Sequence, residues 1–294
     1  MKKRLLSIIL VAFVFLAGCS SANGNEIKET TASSETSQVA SESTITSATE
    51  SETTAAEIES ADLVLPVTEN TSGKVQIQTV SASPGYPFNS YLITSTNGEM
   101  VVVDPTFMPS KKVIDLKPAA IISTHDHMDH TDKIFTNAND CPNIMYTVTD
   151  MNTNDFHIYT IASSHSGDTF DDNSGNIIVV FEVDGLRIAH FGDCGQTALT
   201  DEQLEKIGSI DIAFMQFENS YSDMSVQNQK GFNILKQVNP TIVIPTHCAD
   251  AGFKEIDDNY GGLTKVENIF EISKEDLPQD QLHFYQITNT HKYK

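Results

Sequence analysis

From residue 74 onward, short runs of β-branched and aromatic residues alternate with clusters of Gly, Pro, Asn and Asp. Residues 74–81, 90–95 and 100–104 read as strands, parted by Pro84-Gly85 and by the hairpin dipeptide Asn97-Gly98. Residues 119–124 are a fourth apolar run, and 177–183 and 186–191 flank a second hairpin turn at Asp184-Gly185. Residues 210–215, 241–245 and 282–287 complete the strand pattern. Two stretches take helical spacing instead. Residues 200–208 open with Thr200 and Gln203 in capping-box register and stop at Gly208. Residues 224–238 carry Met224, Phe232, Ile234, Leu235 and Val238 and close at Asn239-Pro240. Strands first, then strands alternating with helices, predict an α/β sandwich of two mixed β-sheets with flanking helices. Residues 249–264, rich in Gly and Asp around Tyr260, read as a loop beside a pocket.

The N-terminal fifth breaks this pattern. Lys2, Lys3 and Arg4 precede an apolar run over residues 5–18 interrupted only by Ser7. These 14 residues fall short of the ~20 that span a bilayer. A charged start, a short apolar core and small residues at the end make a secretory signal. Between residues 20 and 60, 26 of 41 positions are Ser, Thr or Glu, and none is Leu, Phe, Tyr, Met or Trp. Such a stretch buries too little apolar surface to offset its ordering entropy. It reads as a polar tether with a root-mean-square reach of roughly 35 Å. About 230 residues, 61–294, remain for a folded domain.

Charge removes one class of partner. Lys and Arg number 18 against 40 Asp and Glu, a formal net charge of −22, and no basic stripe follows Arg4. Phosphate backbones are bound through Lys and Arg, so a nucleic-acid partner is not expected. Beyond Cys19, the three cysteines Cys141, Cys194 and Cys248 allow at most one bridge, which is no disulfide framework.

The chemistry sits where strands end. Residues 121–124 run straight into His125-Asp126-His127-Met128-Asp129-His130. His125 and His127 lie two apart on an extended segment, project to one side and are placed to share one cation. Asp129 and His130 follow as the chain turns towards a helix and are placed to serve a second. Three later segments carry further candidates: Ser164-His165-Ser166-Gly167, His190-Phe191-Gly192-Asp193-Cys194-Gly195 and Pro245-Thr246-His247.

Taken in this order, the segments resemble the metallo-β-lactamase superfamily over about 230 residues. The resemblance implies an αββα sandwich with a dinuclear metal site between the sheets. It assigns His125, His127 and His165 to one ion, Asp129, His130 and His247 to the other, and Asp193 to a bridge between them. Alone, His165 reads as a loop residue, Asp193 as a turn residue and His247 as a strand-end histidine; their order behind the six-residue motif ties them together. Asp104, after residues 101–103, resembles a position whose carboxylate fixes the tautomer of a ligating histidine. His157, His190, His283 and His291 read as structural.

Nitrogen and carboxylate donors without thiolate suit two Zn²⁺ ions, with Mn²⁺ and Fe²⁺ also compatible. The implied reaction is hydrolysis of a small ester, lactone or phosphoester by hydroxide generated between the ions. Asp129 would orient it and pass a proton to the leaving group. The Ser-His-Ser-Gly, His-Phe-Gly-Asp and Ile-Pro-Thr-His segments look closest to the ascorbate-6-phosphate-lactonase-like group. The Thr-x-Gly-His stretch of the glyoxalase II branch is missing, as is the Cys ligand of well-known zinc β-lactamases. Only 34 residues separate His130 from His165, leaving little room for a capping domain. The competing readings are a non-catalytic metal- or ligand-binding lipoprotein on the same fold and a β-lactam hydrolase.

Leu16-Ala17-Gly18-Cys19 resembles the lipobox of bacterial lipoproteins. That resemblance implies cleavage after residue 18 and a diacylglycerol on Cys19, two chains where one would anchor only marginally. It places the domain outside the bacterial cytoplasmic membrane or in the periplasm, with a small-molecule substrate as its partner. Cys194 and Cys248, each one residue beyond a candidate ligand, read as small buried hydrophobes, with a redox-sensitive pair as the sharper alternative.

Overall fold

The computed structural model describes residues 68–81, 85, 88–108, 116–171 and 175–288, all within the compact unit Thr54–Lys294. The expected signal, Cys19, the tether, Pro84 and His291 lie outside the described residues. Strand β1 (Val75–Thr79) is followed by β2 (Tyr91–Thr94), β3 (Met100–Val103) and β4 (Ala120–Ser123). Helix α1 (Lys133–Ala138) comes next, then β5 (Asn143–Met145), β6 (Asp150–Asn152), β7 (Phe156–Ser164), β8 (Gly175–Val183) and β9 (Leu186–His190). Helices then alternate with strands: α2 (Asp201–Ile207), β10 (Ile212–Met215), α3 (Lys230–Val238), β11 (Ile242–Pro245) and α4 (Asp250–Tyr260). Strands β12 (Leu263–Glu267), β13 (Ile269–Ile272) and β14 (His283–Thr288) complete the order.

Two mixed sheets result, one of order β13-β1-β2-β3-β4-β5 and one of order β12-β14-β11-β10-β9-β8-β7-β6. Alternate residues of each strand divide between two apolar layers. From β8, Ile177, Val179 and Phe181 enter the core between the sheets, where they meet Tyr91, Val101 and Ile122. Ile178 and Val180 face the other way, into a layer shared with Ile207, Phe232, Leu235 and Ile256 from the helices. On the first sheet, Leu92, Val102 and Ile121 pack outward against Phe135 of α1. Burial on both faces explains why these strands read as continuous apolar runs. The architecture is the αββα sandwich that the sequence implies.

Several boundaries differ from expectation, each for a local reason. Helix α2 has the predicted capping box at Thr200 and Gln203. Helix α3 starts at Lys230 rather than 224, because Gln229 is left-handed and Met224 pairs across a bridge with Asn219. Residues 249–264 are not a loop: α4 occupies most of them, held by buried Gly252 and Ile256, and its Tyr260 ring stacks on Phe232. Strand β7, unread in the sequence, interleaves buried Phe156 and Ile158 with half-exposed His157 and Tyr159.

Strand direction positions the site. β3 and β4 run parallel, as do β9, β10 and β11, and β7 shares the direction of β9 because each is antiparallel to β8. Their C-terminal ends therefore open at common edges. The start of β2, antiparallel to β3, falls at the same edge.

Candidate metal centre

Every predicted ligand leaves the C-terminal end of a strand. His125, His127, Asp129 and His130 follow β4; His165 follows β7, Asp193 follows β9 and His247 follows β11. The structure gathers them into two adjoining groups, His125, His127, His165 and Asp193 in one and Asp129, His130 and His247 in the other; both could hold a metal ion.

Asp193 stands between the groups. Its Oδ2 lies 3.5 Å from His125 Nε2 and 3.6 Å from His165 Nε2, while Oδ1 lies 3.5 Å from His130 Nε2 and 3.4 Å from His247 Nε2. His127, the most exposed member, sets its ring edge-on to those of His125 and His165, each with centroids 4.6 Å away. His125 Nε2, His165 Nε2 and Asp193 Oδ1 are buried without a hydrogen-bond partner. Burying such atoms unpaired costs on the order of 1–3 kcal/mol each, and a cation in each group would remove that cost. The donor set therefore fits a metal ion.

Asp104 organises one ligand from each group. Wholly buried, its carboxylate accepts from the Thr124 amide at 2.7 Å, Thr124 Oγ1 at 2.9 Å and His130 Nδ1 at 2.8 Å. The His130 ring is thereby fixed with Nε2 towards the site. Thr124 Oγ1 has one proton and gives it to Asp104. At 3.1 Å from His125 Nδ1 it must then act as acceptor, which leaves the Nε2 lone pair of His125 facing the site. Asp104 pays a conformational penalty at φ 49°, tolerable for a short polar side chain.

Electrostatics follow from burial and the two carboxylates. Burial pushes the His125 pKa down to about 2, keeping the ring neutral. For His130 burial opposes charge, but Asp104 and then Asp193 outweigh it and push the pKa up to about 9. Burial likewise disfavours ionised Asp193, yet the imidazoles around it, His130 foremost, hold its carboxyl well below the usual range. A cation replaces protons in such a site.

Beneath the ligands the packing is tight. Gly192 takes φ +54°, and a Cβ there would meet Asn176 Oδ1 at 2.6 Å and Thr124 Oγ1 at 2.7 Å. Asn176 Oδ1 accepts the Asp193 amide at 3.0 Å, so this contact sets where Asp193 leaves the strand. His190 accepts from the Gly192 amide through Nδ1 and stacks on Phe214, a structural role as expected.

Two asparagines were not legible in the sequence. Asn219 donates to Asp193 Oδ2 at 2.6 Å. Asn89, just before β2, places Nδ2 3.2 Å from His247 Nε2 and 3.3 Å from Asp129 Oδ2. An isolated carboxamide has no motif; the signal was a polar pair, Asn89-Ser90, entering an otherwise apolar strand. Cys194 and Cys248 are free, and burial pushes the Cys194 thiol up to about 11 and raises that of Cys248. Neither is a thiolate near neutrality.

His127, Asp129, Asp193 and His247 floor a cleft of about 480 Å³ lined also by Asp126, Met128, Glu218, Ser220 and Tyr221. Met128 and Tyr221 expose large apolar side chains to it. Residues 249–264, expected to border the pocket, do not line this cleft; Gly252 instead donates its amide to Glu218 Oε2 at 2.9 Å, steadying the wall from behind.

The Beta-lactamase superfamily domain matches residues 86–247, more than half of the chain, from just before Asn89 through His247. No curated protein matches. Among solved structures, the chain is similar to a metallo-β-lactamase-superfamily protein of Thermotoga maritima, named for zinc-dependent hydrolysis. Identity is 18%, 73% of this chain and 100% of that one are covered, and the TM-score is 0.53. It is also similar to YhfI of Bacillus subtilis, a metallo-β-lactamase fold protein, at 12% identity over 75% of this chain and 99% of that one, TM-score 0.49. Igni18, a metallo hydrolase of Ignicoccus hospitalis, gives 14%, 68%, 100% and 0.48 for the same measures. With the matching domain spanning the gathered His and Asp residues and the αββα sandwich around them, the chain belongs to the β-lactamase superfamily and has the metallo-β-lactamase fold.

Proposed function

We propose that this chain is a hydrolase of small esters, lactones or phosphoesters that works with two divalent cations. His125, His127 and His165 would hold one and Asp129, His130 and His247 the other, with Asp193 between. One observation carries the reading: the two carboxylate oxygens of Asp193 face different histidine pairs at 3.4–3.6 Å. When bound, such ions supply Lewis-acid charge that acidifies water and polarises the scissile bond. Nitrogen and oxygen donors without thiolate favour Zn²⁺, as does the zinc-dependent naming of the Thermotoga neighbour.

The chain's own residues do the rest. Asp104 and Thr124 hold protons on the Nδ1 atoms of His130 and His125, and Asn219 orients Asp193. Asp129, half-buried at the cleft floor, is placed to orient water and to hand a proton to a leaving group. Met128 and Tyr221 offer an apolar rim for the non-reacting part of a substrate, and the cleft volume suits a small molecule. The Ser-His-Ser-Gly and Ile-Pro-Thr-His segments support a lactone or phosphoester.

The test is metal content of the full chain, measured with hydrolysis of an ester, lactone, phosphodiester and β-lactam panel, repeated on His127→Ala and Asp193→Ala. About two equivalents of metal and turnover lost in both variants are expected. Less than one equivalent after loading, with no turnover, leaves a binding protein on the same fold.

The sequence also supports a location. We infer that Cys19 carries a lipid and that the polar segment 20–60 tethers the domain at the outer face of a bacterial membrane. Cys19→Ser should shift the protein from the membrane fraction to the soluble fraction; unchanged membrane partitioning overturns the anchor.

A further inference from the structure

We propose that Asn89 is an oxygen ligand of the cation held by Asp129, His130 and His247, an assignment that rests on the two-ion reading above. Asn89 is buried to 3% exposure at the start of β2, the edge where β3 and β4 end. Its Nδ2 lies 3.3 Å from Asp129 Oδ2, 3.5 Å from His130 Nε2 and 3.2 Å from His247 Nε2. The other three atoms stand 3.1, 3.7 and 3.5 Å from one another. These are the six edges of a tetrahedron. Four donors about 2.0–2.2 Å from a common centre would be separated by roughly 3.3–3.6 Å. The end of the Asn89 carboxamide therefore stands at donor spacing from all three, a further vertex beside Asp193 Oδ1, which faces His130 and His247 at 3.5 and 3.4 Å.

An amide nitrogen has no lone pair to offer a cation. Facing Asp129 Oδ2, the Asp129 carbonyl at 3.4 Å and His247 Nε2, it serves acceptors instead. A half-turn about the Cβ–Cγ bond exchanges Nδ2 and Oδ1 without moving the backbone. Oδ1 then faces the cation from the same position. The ligand is neutral, so it completes the coordination without adding to the charge of Asp129 and Asp193.

A mere hydrogen-bond donor at this vertex would compete with the cation for the same lone pairs, and the two roles predict opposite signs. If Asn89 is a ligand, Asn89→Ala lowers the affinity for one of two ions at least tenfold. If it only donates, the substitution leaves affinity unchanged or raises it. The experiment uses the full chain, Zn²⁺ titrated against a chromogenic chelator, and the visible absorption of the Co²⁺-loaded protein. Asn89→Ala should lose one high-affinity Co²⁺ signal. Asn89→Asp, which keeps an oxygen at the vertex, should restore it, and that rescue separates ligation from misfolding. Two parental affinities and an unchanged Co²⁺ spectrum in Asn89→Ala overturn the assignment alone. A parent chain that takes up only one ion overturns it together with the two-ion reading.

Discussion

Gly192 has no side chain, and the position of Asp193 depends on that. Alanine there would drive a methyl group against both Asn176 and Thr124 in a left-handed backbone. Gly98 is also left-handed but has open space around it. Strain alone costs roughly 1–2 kcal/mol, and buried overpacking adds about 1–3 kcal/mol. Urea unfolding should therefore show Gly192→Ala losing about 2–5 kcal/mol and Gly98→Ala about 1–2 kcal/mol; equal losses would mean that the neighbours yield. Asp104 acts on the neighbouring loop after β4, through Thr124 and His130. Asp104→Asn should weaken metal binding ~10–100-fold by freeing the His130 ring, without emptying the core; chelator competition at parental affinity would deny Asp104 that role. The six-residue motif was legible because its histidines are close in sequence and rare in composition. Asn89 and Asn219 were not, because their meaning lies in contacts with residues 40 to 158 and 26 positions away.

At the scale of elements, strands buried on both faces announced themselves, and half-polar ones did not. β7 is the instructive miss. Its outward residues join a cross-strand row: His157 Nδ1 meets Glu182 at 3.0 Å and Nε2 meets Asp150 at 2.9 Å, while Glu182 also pairs with Arg187. The hydrogen bonds to Glu182 and Asp150 raise the His157 pKa. A raised folded-state value means that the row contributes fully below the unfolded pKa of about 6.5. The contribution fades as pH climbs through the folded value. Because the row is solvent-facing, its worth stays under about 1 kcal/mol and shrinks with salt. Comparing urea midpoints below pH ~6 and above pH ~8, His157→Gln should lose stability only on the acidic side; a loss of equal size at both would point to packing. Helix α4 escaped notice for a related reason. It has no side-chain N-cap and only two buried residues, so neither a start signal nor an apolar stripe marked it.

For the molecule as a whole, the donors come from both sheets: His125, His127, Asp129 and His130 from the first, His165, Asp193 and His247 from the second. Cations bound there cross-link the layers and stabilise only the folded state, by RT ln(1 + [L]/Kd). Removing metal with a chelator should lower Tm, an excess of Zn²⁺ should restore it, and His247→Ala should blunt the response. A Tm indifferent to chelation would mean that the core alone sets stability. The first sheet has a second dependence, on order of appearance. β1 is buried at all five positions, and among the described residues one of its edges is covered only by β13, where Gln76 meets Glu271 across 195 positions of sequence. At about 5–20 residues per second, a ribosome takes roughly 10–40 s to deliver that partner. Through this interval Val-Gln-Ile-Gln-Thr remains an open edge that any neighbouring nascent chain can pair with. Replacing residues 269–272 by a Gly-Ser run of equal length keeps β12 and β14 and makes the interval permanent; in a Cys19→Ser background that chain should sediment as aggregate where the Cys19→Ser parent stays in solution.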